Sequence, residues 1–237
     1  RLMEFFSFRN FLELTMQLSM VPMALGFALF LSWVISAGKG GDHKWLTLLS
    51  KGTMLLTGAS FLLGCTAMVL RYIEVQHWPA QTMYEVIPLG VCAAYLSTIA
   101  LYYVLGLNRR VGVARAFGDL FVALIMVGGV FTLQYVLNLD PTGKALPPAL
   151  QSYWFSTHIT AYMIGYFTLI IAALAAWLHL CFQFWLQVIR RQESRLVIKI
   201  GVPVLALIAA PFGSIALVMG FGVFAVAGVV TAYSLRG

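Results

Sequence analysis

Charged side chains are scarce in this 237-residue sequence: Asp, Glu, Lys and Arg make up 10% of it, against 61% hydrophobic residues. Soluble domains carry about 25% charged residues, so a soluble domain of useful size is excluded. The composition indicates an integral membrane protein.

Cysteine is also sparse, and none of the three cysteines belongs to a CxxC pair. That pattern excludes a zinc site and a redox pair of the usual spacing. The absence of CxxCH excludes a c-type cytochrome. A cleavable signal peptide is not expected either, because the first apolar segment is about 25 residues long and lacks a small-residue cleavage site.

The net charge of +7 does not indicate a nucleic-acid partner, because the basic residues lie in short clusters beside apolar segments. Six segments approach the roughly 20 apolar residues that a membrane span needs. They are residues 13–37, 52–71, 86–107, 117–138, 154–188 and 200–235. The fold class expected is therefore all-α: a polytopic transmembrane helical bundle of about six spans, forming one domain over residues 1–237 or a fragment of a longer chain.

The last segment contains Pro203 and Pro211 among several glycines, so we expect it to be kinked or broken. The odd-numbered loops are the basic ones: they hold Lys39, Lys44 and Lys51, then Arg109, Arg110 and Arg115, then Arg190, Arg191, Arg195 and Lys199. Because basic loops remain in the cytoplasm, these loops are expected inside and the N-terminus outside.

Two polar, aromatic clusters are then predicted on the outer side. The second loop, "RYIEVQHWPAQTMYEVIP", gathers His77, Trp78, Pro79, Gln81, Tyr84 and Glu85. An interfacial aromatic belt is the alternative for its Trp and Tyr residues. The fourth loop runs into the fifth span with Gln151, Ser152, Trp154, Ser156, Thr157 and His158, where Ser152 is a candidate N-cap. Ionisable residues inside spans tend to mark function, although His158 could simply bond a neighbouring helix.

"HWPAQTMYE" and "LPPALQSYWFSTHITAYMIGY" together resemble the CcsA/ResC family of cytochrome c biogenesis, whose members handle haem in the membrane. The first stretch is similar to the family's outer loop, and the second to its "L-x-P-x-L-Q-S-x-W-x-x-x-H" helix entrance. In the family, the histidine of this second motif is an external-haem ligand, and it matches His158. The family's tryptophan-rich outer segment ending in "W-D-P-K-E" does not occur in these 237 residues.

The resemblance implies haem binding and haem transport: a b-type, non-covalent haem held at the outer face for attachment to apocytochrome c. His158 would ligate the iron, and His77 or a partner's histidine would take the other side. Trp78 and Trp154 would flank the macrocycle. Gln151 and Ser152 would support the ligand, and Tyr84 and Glu85 complete the predicted cofactor-binding set. A second membrane subunit of a haem-handling or respiratory complex is the expected partner, in a bacterial inner (plasma) membrane or an equivalent energy-transducing membrane.

Whether the chain forms part of a haem lyase is left open by the sequence. A second hypothesis is a membrane anchor, haem b or quinol-site subunit of an electron-transfer complex that has lost synthase chemistry. A transporter is the third, because interrupted helices often line substrate sites. Two further ionisable residues are predicted to have structural roles. His179 is expected to be an interfacial residue, and Asp119 a charge at the start of a helix.

Overall fold

The computed structural model of the chain describes residues 6–36, 44–110, 112–142 and 153–190. Regular structure in these ranges is helical: α1 Phe8–Ser36, α2 Lys44–Val75, α3 Met83–Val104, α4 Val113–Leu137 and α5 Tyr153–Arg190, with a 3-10 turn at Leu107–Arg109. The sixth predicted segment, residues 200–235, lies outside the described residues. Two compact units are distinguished, Arg1–Leu180 and Cys181–Gly237, and the packing described below belongs to the first.

All five helices are long and apolar enough to cross a membrane. Helices suit that environment because every backbone N–H and C=O in the hydrocarbon core must find its partner within the protein. The predicted polytopic, all-α fold is confirmed, and this is a multi-pass membrane protein. The fifth predicted segment, residues 154–188, corresponds to α5, which continues to Arg190, beyond the length that a span requires.

Helices α1 to α4 pack in a ring, in which α1 lies against α2 and α4, and α3 completes the ring between them. The contact between α1 and α4 is close at Gly26, where an added Cβ would come within 2.9 Å of both the Ala123 Cβ and the Asp119 carbonyl oxygen. Glycine is needed there because the two backbones leave no room for a side chain. Large side chains such as Trp33 and Tyr95 fill the interior and are fully buried.

Within the described residues, helix α5 contacts α3 of this ring. The ring of Phe167 occupies the space over Gly90, and the Ser97 and Thr168 hydroxyl oxygens are 3.3 Å apart. Only 11% of the most apolar part of α5 is buried, against 56% for α4. The remaining surface of α5 therefore carries exposed side chains along most of the span.

Candidate functional site

The loop of residues 76–82, which joins α2 to α3, carries His77 and Trp78. Trp78 is half exposed, and its indole Nε1 donates a hydrogen bond to Thr160 Oγ1 on α5 at 2.9 Å. His77 Nδ1 lies 3.0 Å from the Trp78 carbonyl oxygen. Because a carbonyl only accepts, this bond requires a hydrogen on Nδ1, and the neutral ring then keeps the Nε2 lone pair free.

His158 lies on the exposed surface of α5, within the turns that follow the start of the helix. Its ring and that of Tyr162 pack edge to face, with 4.3 Å between centroids, and Tyr162 in turn stacks on Tyr166 at 5.8 Å. These residues recur every four positions, as neighbours on one helix face do. Trp154 continues the same series and is 79% exposed. We call the residues Trp154, His158, Tyr162 and Tyr166 the aromatic stripe.

The structure brings the 76–82 loop to the level of His158, but not onto the same side of α5. Thr160, which bonds Trp78, follows His158 by two residues. Two residues advance about 200° around a helix, so the two side chains point in widely different directions. The 76–82 loop therefore contacts α5 through Trp78 and Thr160, whereas the His158 ring lies on a different side of that helix.

Tyr84 and Glu85 lie at the start of α3 and are both buried, with 3% and 1% exposure. Glu85 forms an ion pair with Arg71 at 3.0 Å, and the Arg71 guanidinium lies 5.4 Å from the centroid of the Tyr84 ring. Both side chains are thus committed to contacts inside the bundle. Gln151 and Ser152 lie outside the described residues, immediately before the point where α5 begins.

A second polar network lies at the opposite end of the bundle, and the sequence did not reveal it. Ser50 Oγ donates to Asp119 Oδ1, accepts from Arg115 Nε at 2.9 Å, and lies 3.1 Å from the Tyr102 hydroxyl. Trp33 Nε1 donates to the other Asp119 oxygen at 3.2 Å. Asp119 is therefore more than a charge at a helix start, because it links α1, α2 and α4.

Arg115 was predicted to be one of several basic residues in a loop, but it lies in the first turn of α4. The side chain is fully buried, and its Nη1 donates to the carbonyl oxygens of Leu107 and Asn108 at 3.3 and 2.6 Å. The network could have been predicted from Asp119 and Arg115, which lie four residues apart at the start of an apolar segment. Charged side chains in a membrane have a high free energy unless they are paired.

Among the described residues, no group of three or more His, Cys, Asp or Glu side chains could hold a metal ion. Single histidines remain, and one histidine can serve as an axial ligand of haem iron. The side chains of His77 and His158 are both accessible to a ligand that approaches from outside the protein. His179 is also exposed, but lies about 30 Å further along α5.

Residues 82–228 match the family described as Cytochrome C assembly protein. The chain belongs to this family. The resemblance to the CcsA/ResC proteins is thereby confirmed. The matched region of the family begins at Thr82, the N-cap of α3, and includes α3, α4, α5 and His158. His77 and Trp78 precede it.

Curated relatives in the family carry the description "Cytochrome c biogenesis protein CcsA". The protein of Cyanophora paradoxa is 26% identical over 171 residues, which cover 72% of this chain and 50% of that protein. The protein of Adiantum capillus-veneris is 30% identical over 114 residues, 47% of this chain and 34% of that protein. The chain thus spans half or less of the length of these relatives. No solved structure matches it.

Proposed function

We propose that this chain is the haem-handling part of a membrane protein of cytochrome c maturation. It holds a b-type, non-covalent haem at the His77 end of the bundle for attachment to apocytochrome c. Membership of the cytochrome c assembly family supports the process. The observation that carries the site is the exposed ring of His158, which lies on a helix inside the matched region.

His158 suits an axial ligand because its ring is not held by hydrogen bonds within the described residues. Its ring packs edge to face with the Tyr162 ring, and this contact is not a hydrogen bond. A neutral imidazole nitrogen is a common ligand of haem iron. Exposed aromatic faces at Trp154 and Trp78 supply apolar surface of the kind that a macrocycle covers.

His77 is the proposed second histidine, unless a partner subunit supplies one. Its Nδ1 bond to the Trp78 carbonyl fixes the ring and leaves Nε2 for the metal, the arrangement that metal-bound histidines usually have. His158 faces a different side of α5 from the Trp78 contact. Both histidines can therefore ligate one iron at the same time only if the loop or α5 moves. Otherwise each histidine ligates the iron in a different bound state.

Bound haem supplies the vinyl groups that the thiols of an apocytochrome CxxCH attack. The chain's own residues bind and orient: the histidines hold the iron, and the tryptophan rings shield the macrocycle. Gln151 and Ser152 are proposed to meet propionates or the free imidazole nitrogen. Tyr84 and Glu85 act from the interior, by holding the loop that precedes them.

The proposal places the His77 end outside an energy-transducing membrane, such as a bacterial inner membrane, and the basic 107–110 turn inside. A second membrane subunit would complete the haem site. Arg109 and Arg110 are exposed at the end that the basic-loop rule assigns to the cytoplasm.

The test compares His158→Gly with His179→Gly in the purified full chain. Both variants place a glycine at an exposed position of the same helix, so the loss of helix propensity, about a few tenths of a kcal/mol relative to histidine, is matched. We expect the His158 variant to lose haem absorption and to regain it when imidazole is added. We expect the His179 variant to keep the parent spectrum.

A His158→Gly protein with a full haem complement would refute the assignment of this ligand. A native assembly without haem would refute the function as a whole. If His158→Gly loses haem but leaves cytochrome c maturation in cells unchanged, the electron-transfer subunit becomes the better description.

A further inference from the structure

We propose that Arg71 and Glu85 form a clamp that positions the 76–82 loop against α5. The two residues are positioning residues: they act on His77 and Trp78 through the loop backbone and do not touch the haem. This inference rests on the function proposed above, because it assigns the clamp to the same site.

The Glu85 carboxylate joins the loop to Arg71 with both of its oxygens. Oε1 accepts from Arg71 Nε at 3.0 Å and lies 3.0 Å from Nη2. Oε2 accepts the backbone N–H groups of Gln81 and Thr82 at 3.0 and 3.3 Å. The last two residues of the loop are therefore tied to a buried guanidinium through one carboxylate that is 1% exposed.

Arg71 extends these ties to three other parts of the bundle. Its Nη2 donates to the Pro141 carbonyl oxygen beyond α4 at 3.3 Å, and its Nη1 lies 3.4 Å from Glu74 Oε2. The guanidinium also lies over the rings of Phe8 and Tyr84, 5.6 and 5.4 Å from their centroids. Glu74 in turn accepts the Phe8 backbone N–H at 2.9 Å, at the first residue of α1.

The opposite side of the loop has a weaker attachment. Trp78 bonds Thr160 through a neutral hydrogen bond at an exposed position. Charge-assisted bonds are roughly twice as strong as neutral ones, and the clamp provides several of them in a buried setting. The position of Trp78 beside α5 should therefore depend on the clamp, and the clamp should depend little on the Trp78 contact.

Arginine is required at position 71 by this geometry. A planar guanidinium can donate to Glu85, Glu74 and a backbone carbonyl in different directions at once, and can also stack on aromatic rings. A lysine keeps the charge but concentrates its donors at one point. Arg71→Lys should therefore weaken the clamp while the buried charge is retained.

The test measures the loop position directly in the full chain. The three native cysteines are replaced by alanine, and cysteines are introduced at Trp78 and Thr160 for a short bifunctional thiol reagent. We expect efficient cross-linking in this parent, and a fall of about tenfold in rate in Glu85→Gln and Arg71→Met, the factor that loss of one charge-assisted bond allows. Glu13→Gln, at an exposed glutamate of α1, is the matched control and should cross-link like the parent.

Each variant is checked for helix content and for a single size-exclusion peak, so that unfolding is separated from loop movement. If Arg71→Met does not fold, Arg71→Lys replaces it. Folded Glu85→Gln and arginine variants that cross-link at the parent rate would overturn the clamp.

The cross-linking experiment does not require haem, so the clamp proposal and the proposed function can be refuted independently. In the chain with its native Trp78 and Thr160, we expect Glu85→Gln to reduce haem occupancy, with His77 and His158 both intact. Full occupancy in that variant would show that the clamp does not serve the haem site. Slower cross-linking in a protein that never contains haem would retain the clamp and refute the function.

Discussion

Ser50 offers a sharp test of the buried network at the Arg115 end. Its hydroxyl donates to Asp119, accepts from Arg115 and meets Tyr102, so Ser50→Ala removes three contacts at once. Two of the partners are charged and buried, and a hydrogen bond to a charged group contributes roughly 1.5–3 kcal/mol. The expected loss in the free energy of unfolding is therefore about 3–6 kcal/mol.

Ser60 provides the matched control on the same helix. Both serines are buried, with 1% exposure for Ser50 and none for Ser60. The Ser60 hydroxyl, however, bonds the carbonyl oxygen of Leu56 in its own helix at 3.1 Å. That carbonyl keeps its helical partner when the hydroxyl is removed, and alanine favours the helix by a few tenths of a kcal/mol. Ser60→Ala should change the stability by less than about 1 kcal/mol.

The measurement is the unfolding of the purified full chain in detergent micelles, followed by far-UV circular dichroism across a denaturant series. The two variants remove the same atoms from the same helix, so they differ in what the hydroxyl bonded. Equal shifts for Ser50→Ala and Ser60→Ala would show that the network contributes no more than one ordinary helix bond, and would refute the reasoning.

Two further predictions concern topology and helix packing. A cysteine introduced at Asn138 should react with an impermeant reagent in intact cells, and one introduced at Arg110 should not. The two positions flank α4, and the basic-loop rule assigns the Arg110 end to the cytoplasm. The opposite labelling pattern would reverse the predicted orientation. Gly26→Ala should destabilise the chain by about 1–3 kcal/mol in thermal unfolding, because the added Cβ meets the α4 backbone. Gly128→Ala, where nothing lies within 4 Å, should be neutral or slightly stabilising, and a similar loss in both variants would contradict the close packing at Gly26.

The apolar runs were enough to predict the five described helices, but not where they begin. The second helix starts at Lys44 instead of residue 52, because Lys44 and Lys51 lower the local hydropathy without interrupting backbone hydrogen bonds. Long lysine side chains can extend towards water from a helix that continues into the interface. Hydropathy therefore reports the apolar part of a span, and the helix extends beyond it.

The hydrogen bonds between helices could not be predicted in the same way. Ser50 and Asp119 are 69 positions apart in the sequence, and Trp33 and Asp119 are 86 apart. Hydrophobic periodicity places each residue on a helix, but it does not state which helices become neighbours. The His158 motif, in contrast, was recognisable because its polar and aromatic residues are consecutive in the sequence.

The packing of α1 has a consequence for how parts of this family can be exchanged between relatives. The matched region begins at residue 82, yet α4 within it is completed by α1, through the Gly26 contact and the Trp33 bond to Asp119. A chimera that exchanged only the matched region would place a foreign α4 against the resident α1 and would separate Trp33 from Asp119. An exchange between relatives should therefore carry α1 together with α4, because the compact unit, Arg1–Leu180, extends well before the first residue of the matched region.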